Sequence, residues 1–125
     1  LLRKNDVVLK ERFVDTLFAC QTRQMQAGEA SVKDVTDFLE AVERLTPLCP
    51  DLTVYLSVPW EERSRRMRAR GETVTERDRR VYKQREKVYE ERIRAQPERF
   101  IVFENTSGVE QAVAQLSTRI HELLD

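Results

Sequence analysis

Short apolar runs closed off by turn residues, each followed by a helical pattern, constrain this chain more than any other feature. Leu52-Thr53-Val54-Tyr55-Leu56-Ser57-Val58 lies between Pro50-Asp51 and Pro59, and Phe100-Ile101-Val102-Phe103 follows Pro97-Glu98-Arg99. A third such run, Asp6 to Lys10, follows Asn5. Their length and boundaries predict strands buried on both faces, as in a parallel sheet. Helical patterns follow each of them. One is predicted from about Val14 to Ala27, ended by Gly28, and a second is capped by Ser31 or Asp34 and closed by Pro47. In the second, Val35, Phe38, Leu39, Val42 and Leu45 recur on one face. Pro59 opens a third helix, with Glu61 and Glu62 in its first turn, that Gly71 ends. A polar stretch, Glu72 to Asp78, then leads to a charged helix from about Arg79 to Ala95, where only Val81, Val88 and Ile93 are available to bury. A last helix starts near Ser107-Gly108, with Val109, Val113, Leu116, Ile120 and Leu123-Leu124 on its apolar side.

Strands alternating with amphipathic helices imply βα units and hence an α/β fold with a parallel sheet. Three strands alone would leave apolar surface and an open edge. Further strands are therefore expected, and the chain, opening on Leu1 rather than Met, is expected to begin partway through a domain.

With 125 residues, 40% of them hydrophobic, the chain can fill one core, so residues 1–125 are expected to belong to one folding unit. Lys plus Arg equals Asp plus Glu at 22 each, which excludes a global basic field of the kind that draws proteins to nucleic acid; any positive site is local. Cys20 and Cys49 are too few for a disulfide framework, and a reducing, cytoplasmic compartment is expected. No signal layout opens the chain, and no apolar run approaches the roughly 18 residues of a membrane span. No His/Cys/carboxylate spacing resembles a metal site, and His121 falls near a helix end, where a surface role is expected.

The segment Val8 to Gln21 carries the most chemistry. Ligands of open parallel sheets bind at the carboxyl ends of strands, and Glu11-Arg12-Phe13 falls at such an end with a helix just beyond. An arginine there can grip a phosphate in bidentate fashion, although Glu-Arg taken alone is equally a surface ion pair. The register of Glu11-Arg12-Phe13, Thr16 and Ala19-Cys20-Gln21 resembles the thymidylate kinase signature of Asp-Arg-Tyr/Phe, then Ser/Thr, then Ala-x-Gln. The likeness continues through Pro50 to Leu56, Glu61-Glu62 through Arg70-Gly71-Glu72, and Pro97 to Phe100, covering essentially the whole chain.

The resemblance implies a P-loop NTPase-type three-layer sandwich, of which this chain is the C-terminal portion. It also implies ATP- and Mg2+-dependent phosphorylation of a nucleoside monophosphate, dTMP to dTDP. Arg12 would hold the acceptor phosphate, Glu11 would orient Arg12 near the magnesium, and Thr16, Cys20 and Gln21 would line the acceptor nucleoside. A homodimer through the early helices is permitted. The chain departs from the family at Glu11, which stands for Asp, at Leu17, which stands at an often polar position, and at Cys20, which stands for a frequent Tyr; these bear on thymine recognition. Glu-Arg at a strand end also resembles the deoxyribonucleoside kinases of the same superfamily, and a non-catalytic kinase-fold interaction module is a further alternative.

A second constellation is arginine-rich. Arg68, Arg70 and Arg77 flank Gly71 and are expected to act catalytically in a mobile lid over about 68–80, stabilising charge on the transferring phosphoryl group. Arg63, Arg65 and Arg66 are expected to form a solvated face paired with Glu61 and Glu62. No aromatic residues interleave this basic run, which argues against nucleic acid. The chain has no GxxxxGK[ST], and Gly28, Gly71 and Gly108 are its only glycines, so it cannot cradle a triphosphate by itself. Alone it is expected to be inactive, with the phosphate loop upstream of Leu1.

Overall fold

The computed structural model describes residues 8–12, 14–26, 31–46 and 49–124. In chain order these form α1 (Val14–Gln26), α2 (Val32–Leu45), β1 (Thr53–Ser57), α3 (Trp60–Ala69), α4 (Glu76–Ala95), a 3-10 turn (Pro97–Arg99), β2 (Phe100–Glu104) and α5 (Val109–Leu124). The chain divides into two compact units, one of Leu1–Cys49 with Arg80–Ala95, the other of Pro50–Arg79 with Gln96–Asp125.

In the first unit α1 packs on α2. Ser31 is the α2 cap, its hydroxyl accepting from the Asp34 amide at 3.0 Å, which satisfies a donor that the first helical turn leaves open. At the other end Thr46 donates from its hydroxyl to Val42 O at 2.6 Å. Of the predicted apolar face, Val35 and Leu39 are buried, whereas Phe38 and Leu45 are exposed. The buried stripe is thus narrower than the periodicity, because α1 covers one row of the α2 surface. The expected first strand is a correction: Asp6 and Val7 lie outside the described residues, and Val8, Leu9 and Lys10 are exposed and belong to no strand. A strand is stabilised by ladder partners, and among the described residues none runs beside this segment.

The second unit is built on a parallel pair, β1 with β2, in the register Thr53↔Phe100 to Ser57↔Glu104. Asn105 N extends the ladder by donating to Ser57 O at 2.7 Å. Phe100, Ile101 and Phe103 are buried, and full burial of such side chains contributes about 1.5–3 kcal/mol each. Burial on both faces is only partly realised, since Leu56 and Val102 remain exposed. By the register they lie on opposite faces, Leu56 beside Phe103 and Val102 beside Tyr55, so each face of the two-stranded ladder keeps an uncovered apolar position.

Arginines tie the surrounding elements to this ladder. Arg99, buried in the turn before β2, donates to Thr53 Oγ1 at 2.8 Å and to Gln96 Oε1 at 2.7 Å and lies 4.3 Å from the Phe100 ring centroid. A buried guanidinium is tolerable only with such partners. Arg66 joins α3 to the end of β2 through Asn105 O at 2.8 Å, and Arg119 joins α5 to Val102 O at 3.1 Å. The inward row of α5 is Ala112, Leu116 and Ile120, spaced i, i+4, i+8 and half-buried; Val109, Val113 and Leu123, predicted to share it, are exposed.

α3 and α4 are bounded by two local devices. Gly71, at φ 82°, lets Glu72 N reach Met67 O at 3.0 Å and Gly71 N reach Arg68 O at 2.9 Å, the paired bonds of a Schellman motif. α4 begins at Glu76, three residues earlier than predicted, because Thr75 and Asp78 form a capping box. The Asp78 carboxylate accepts from Thr75 N at 2.9 Å, and Thr75 Oγ1 accepts from Asp78 N at 3.2 Å. The polar stretch between the helices is therefore shorter than expected.

Candidate active site

Arg12 lies two residues before the start of α1 and has φ 58°, the one non-glycine residue with positive φ among those described. Left-handed backbone costs a side-chain-bearing residue about 1–3 kcal/mol and persists where the surroundings over-determine it, which is frequently at functional sites. The Arg12 side chain is 76% exposed, with Nε 4.0 Å from Glu11 Oε1. At that distance and exposure the pair contributes little, and the guanidinium is open to an incoming anion.

On α1, Thr16 and Cys20 are one turn apart and Gln21 adjoins them; all three are half-buried. Thr16 Oγ1 lies 2.8 Å from the Tyr89 hydroxyl of α4. Cys20 is a free thiol. The same helix carries a residue that sequence reasoning passed over: Asp15, buried in its first turn, binds Arg92 Nε of α4 at 2.5 Å. Arg92 Nη2 reaches Glu43 Oε1 of α2 at 2.8 Å, and the guanidinium carbon lies 4.0 Å from the Phe18 ring centroid. Burial alone would lower the Arg92 pKa, but the hydrogen bonds it donates to Glu43 and Asp15 outweigh it and raise the pKa. The sequence holds one signal for this cluster: Arg92 follows Tyr89 by three residues, on one face of α4.

The predicted lid arginines belong to the second unit. Arg68 lies in the last turn of α3, Arg70 is its C-cap, and Arg77 sits in the first turn of α4, all exposed. Arg70 pairs with Glu72 at 2.6 Å, whereas Arg68 and Arg77 form no ion pair among the described residues. The solvated-face reading holds for Arg65, whereas Arg66 is half-buried and also reaches Asn105 O; Glu62 is their common partner. Arg65 grips Glu62 through Nε at 2.8 Å and Nη2 at 2.7 Å, and Arg66 Nε adds a bond of 2.7 Å. These hydrogen bonds, first from Arg65 and then from Arg66, lower the Glu62 pKa to about 2. Asp78 is also held below the usual carboxylate range, chiefly by its hydrogen bond from the Thr75 side chain. His121 is exposed in the last turn of α5, with Nδ1 donating to Ser117 O at 2.7 Å.

Among the described residues no three His, Cys, Asp or Glu side chains group to hold a metal ion. Magnesium accepts one or two protein carboxylates when phosphates and water complete its shell, and Glu11, exposed beside Arg12, is of that kind. No helix among the described residues is long and apolar enough to cross a membrane.

The family model for thymidylate kinase matches residues 1–116. The chain belongs to the thymidylate kinase family. It is 33% identical over 127 residues to the thymidylate kinase of Lactobacillus acidophilus (strain ATCC 700396 / NCK56 / N2 / NCFM), covering 98% of this chain and 56% of that protein. To the thymidylate kinase of Mycoplasma capricolum subsp. capricolum (strain California kid / ATCC 27343 / NCTC 10154) it is 30% identical over 127 residues, covering 98% of this chain and 57% of that protein. The chain thus spans a little over half the length of these thymidylate kinase relatives, and the match takes in both Arg12 and the arginines around Gly71.

Proposed function

We propose that the complete protein is an ATP-dependent thymidylate kinase converting dTMP to dTDP, with residues 1–125 as the C-terminal part of one P-loop NTPase-type three-layer domain. The observation that carries this reading is Arg12, an exposed guanidinium on left-handed backbone ahead of α1, within the Glu11-Arg12-Phe13 motif. Its planar fork matches two phosphate oxygens, neutralises acceptor charge and orients the third oxygen for attack. That oxygen forms a bond to the γ-phosphorus of ATP as the bond from γ-phosphorus to the β-bridging oxygen breaks, and ADP leaves with the electron pair.

Thr16, Cys20 and Gln21 offer a hydroxyl, a thiol and an amide along one stretch of α1, suited to the acceptor nucleoside. Arg68, Arg70 and Arg77 bracket the Gly71 cap and serve as the lid over 68–80, placing positive charge where it develops on the transferring group. Arg70 must exchange Glu72 for phosphate to do so, a small cost for an exposed pair. Magnesium, when bound, supplies charge neutralisation of the phosphates, with Glu11 as the carboxylate of this chain nearest in sequence to Arg12. A cytoplasmic homodimer is the assembly we propose.

The test is phosphoryl transfer by the complete protein from ATP to dTMP, alongside thymidine as acceptor. Turnover of dTMP with about 10²–10³-fold loss in Arg12→Ala is expected, a magnitude typical for removing one transition-state donor. Near-normal turnover in Arg12→Ala overturns the assignment. Transfer to thymidine rather than dTMP indicates a nucleoside kinase, and absence of magnesium-dependent ATP binding indicates a non-catalytic module.

A further inference from the structure

We propose that Arg92 is a positioning residue for Arg12: through Asp15 it fixes the first turn of α1, and with it the left-handed segment that aims the acceptor arginine. The inference rests on the acceptor role proposed above for Arg12.

Three observations lead to it. Asp15 is 2% exposed, and a carboxylate so buried demands a charged, hydrogen-bonded partner. Arg92 supplies that partner with two nitrogens and one face engaged, Nε on Asp15 at 2.5 Å, Nη2 on Glu43 at 2.8 Å and the carbon centre 4.0 Å from the Phe18 ring centroid. A planar fork held on two edges and one face has a single orientation, which a lysine cannot reproduce. The clamp therefore joins α4, α2 and the opening turn of α1 within one compact unit.

The link to Arg12 follows from chain geometry. Asp15 is three residues beyond Arg12, and Arg12 is in a conformation that persists only when neighbouring structure over-determines it. Its own side chain does not provide that hold, because its contact with Glu11 is 4.0 Å long and exposed. We assign the restraint to the chain that follows, where Asp15 is, among the described residues, the first whose side chain is both buried and committed in charge and hydrogen bonding. An ion cluster of this sort is frequently no better for stability than apolar packing, so orientation is the property it supplies that a leucine would not.

The experiment uses the complete protein with Arg92→Met, which keeps length and removes charge, Arg92→Lys, and Asp15→Asn. Arg92→Met is expected to lose about 10²-fold in kcat/KM for the monophosphate, the scale of a small misplacement, chiefly through a raised monophosphate KM with the ATP KM unchanged. Arg92→Lys should fall between Arg92→Met and the native protein. A purely structural role would lower the active fraction without separating the two substrates, so equal losses for both, or a native monophosphate KM in folded Arg92→Met, overturn the proposal. Should Arg92→Met fail to fold, isosteric Asp15→Asn must show the same KM split, and a native monophosphate KM there overturns it. Amide hydrogen exchange over the first turn of α1 is read without turnover. Faster exchange in the variants supports the clamp even in a protein that phosphorylates no monophosphate, a result that would refute only the role of Arg12; unchanged exchange overturns the clamp.

Discussion

Replacing Arg12 by glycine and, separately, by alanine isolates the backbone cost of its conformation. Both substitutions remove the same guanidinium, which is 76% exposed and 4.0 Å from Glu11, so the lost side-chain interactions are small and cancel between the two variants. Alanine at φ 58° still carries a Cβ and pays roughly the same 1–2 kcal/mol as arginine for left-handed backbone. Glycine pays none of that, but it has more freedom to lose on folding, a penalty of about 0.5–1 kcal/mol. The difference leaves Arg12→Gly more stable than Arg12→Ala by about 0.5–1 kcal/mol. Urea unfolding of the complete protein, followed by circular dichroism with equal m-values in both variants, measures it. In the same samples both variants should have lost phosphoryl transfer, so one of two equally inactive proteins is the more stable. Equal stability, or greater stability of Arg12→Ala, would show that the φ at this position is ordinary and would remove the premise on which the acceptor site is built.

Two other outcomes are accessible to simple measurements. Gly71→Ala meets no atom within 4 Å of the added Cβ, so its cost is that of the backbone at φ 82°, about 1–2 kcal/mol by urea unfolding, and Gly71→Asn should cost distinctly less. Glu62 has its folded pKa lowered from 4.5 to about 2, so its contribution to stability is fully present above pH 4.5 and is lost as pH falls toward 2; Glu62→Gln should flatten the stability-pH curve in that window and lower stability at neutral pH, where the native contribution is complete.

Elements with local punctuation were legible in the sequence. Pro50-Asp51 and Pro59 bracket β1, the 3-10 turn at Pro97 leads into β2, Ser31 caps α2, and Gly71 ends α3 as its chemistry requires. The start of α4 was misread because apolar periodicity was asked to announce it, whereas the turn is set by polar reciprocity between Thr75 and Asp78. The α5 face was misread for a related reason: valines at 109 and 113 satisfy a periodic template, yet Ala112, a small residue, lies on the inward row. Of the site, the motif around Arg12 was visible because its residues are consecutive. The partners Asp15 and Arg92 are 77 positions apart in a chain with many charges, and nothing local distinguishes a buried pair from two solvated side chains. Only the fold brings them together.

One bond described above bears on how molecules of this protein avoid one another. In a parallel ladder alternate residues direct their amide and carbonyl to opposite sides, so with Asn105 bonded to Ser57 the Val102 carbonyl faces away from β1. An open strand edge of this kind is a template on which a neighbouring molecule can add a strand, and repeated addition makes fibrils. Arg119 already occupies that acceptor, in the middle of the five-residue strand, and places a charged group across the path of any incoming backbone. Among the described residues no strand lies beyond β2, and a backbone added there would first have to displace the Arg119 guanidinium from the Val102 carbonyl.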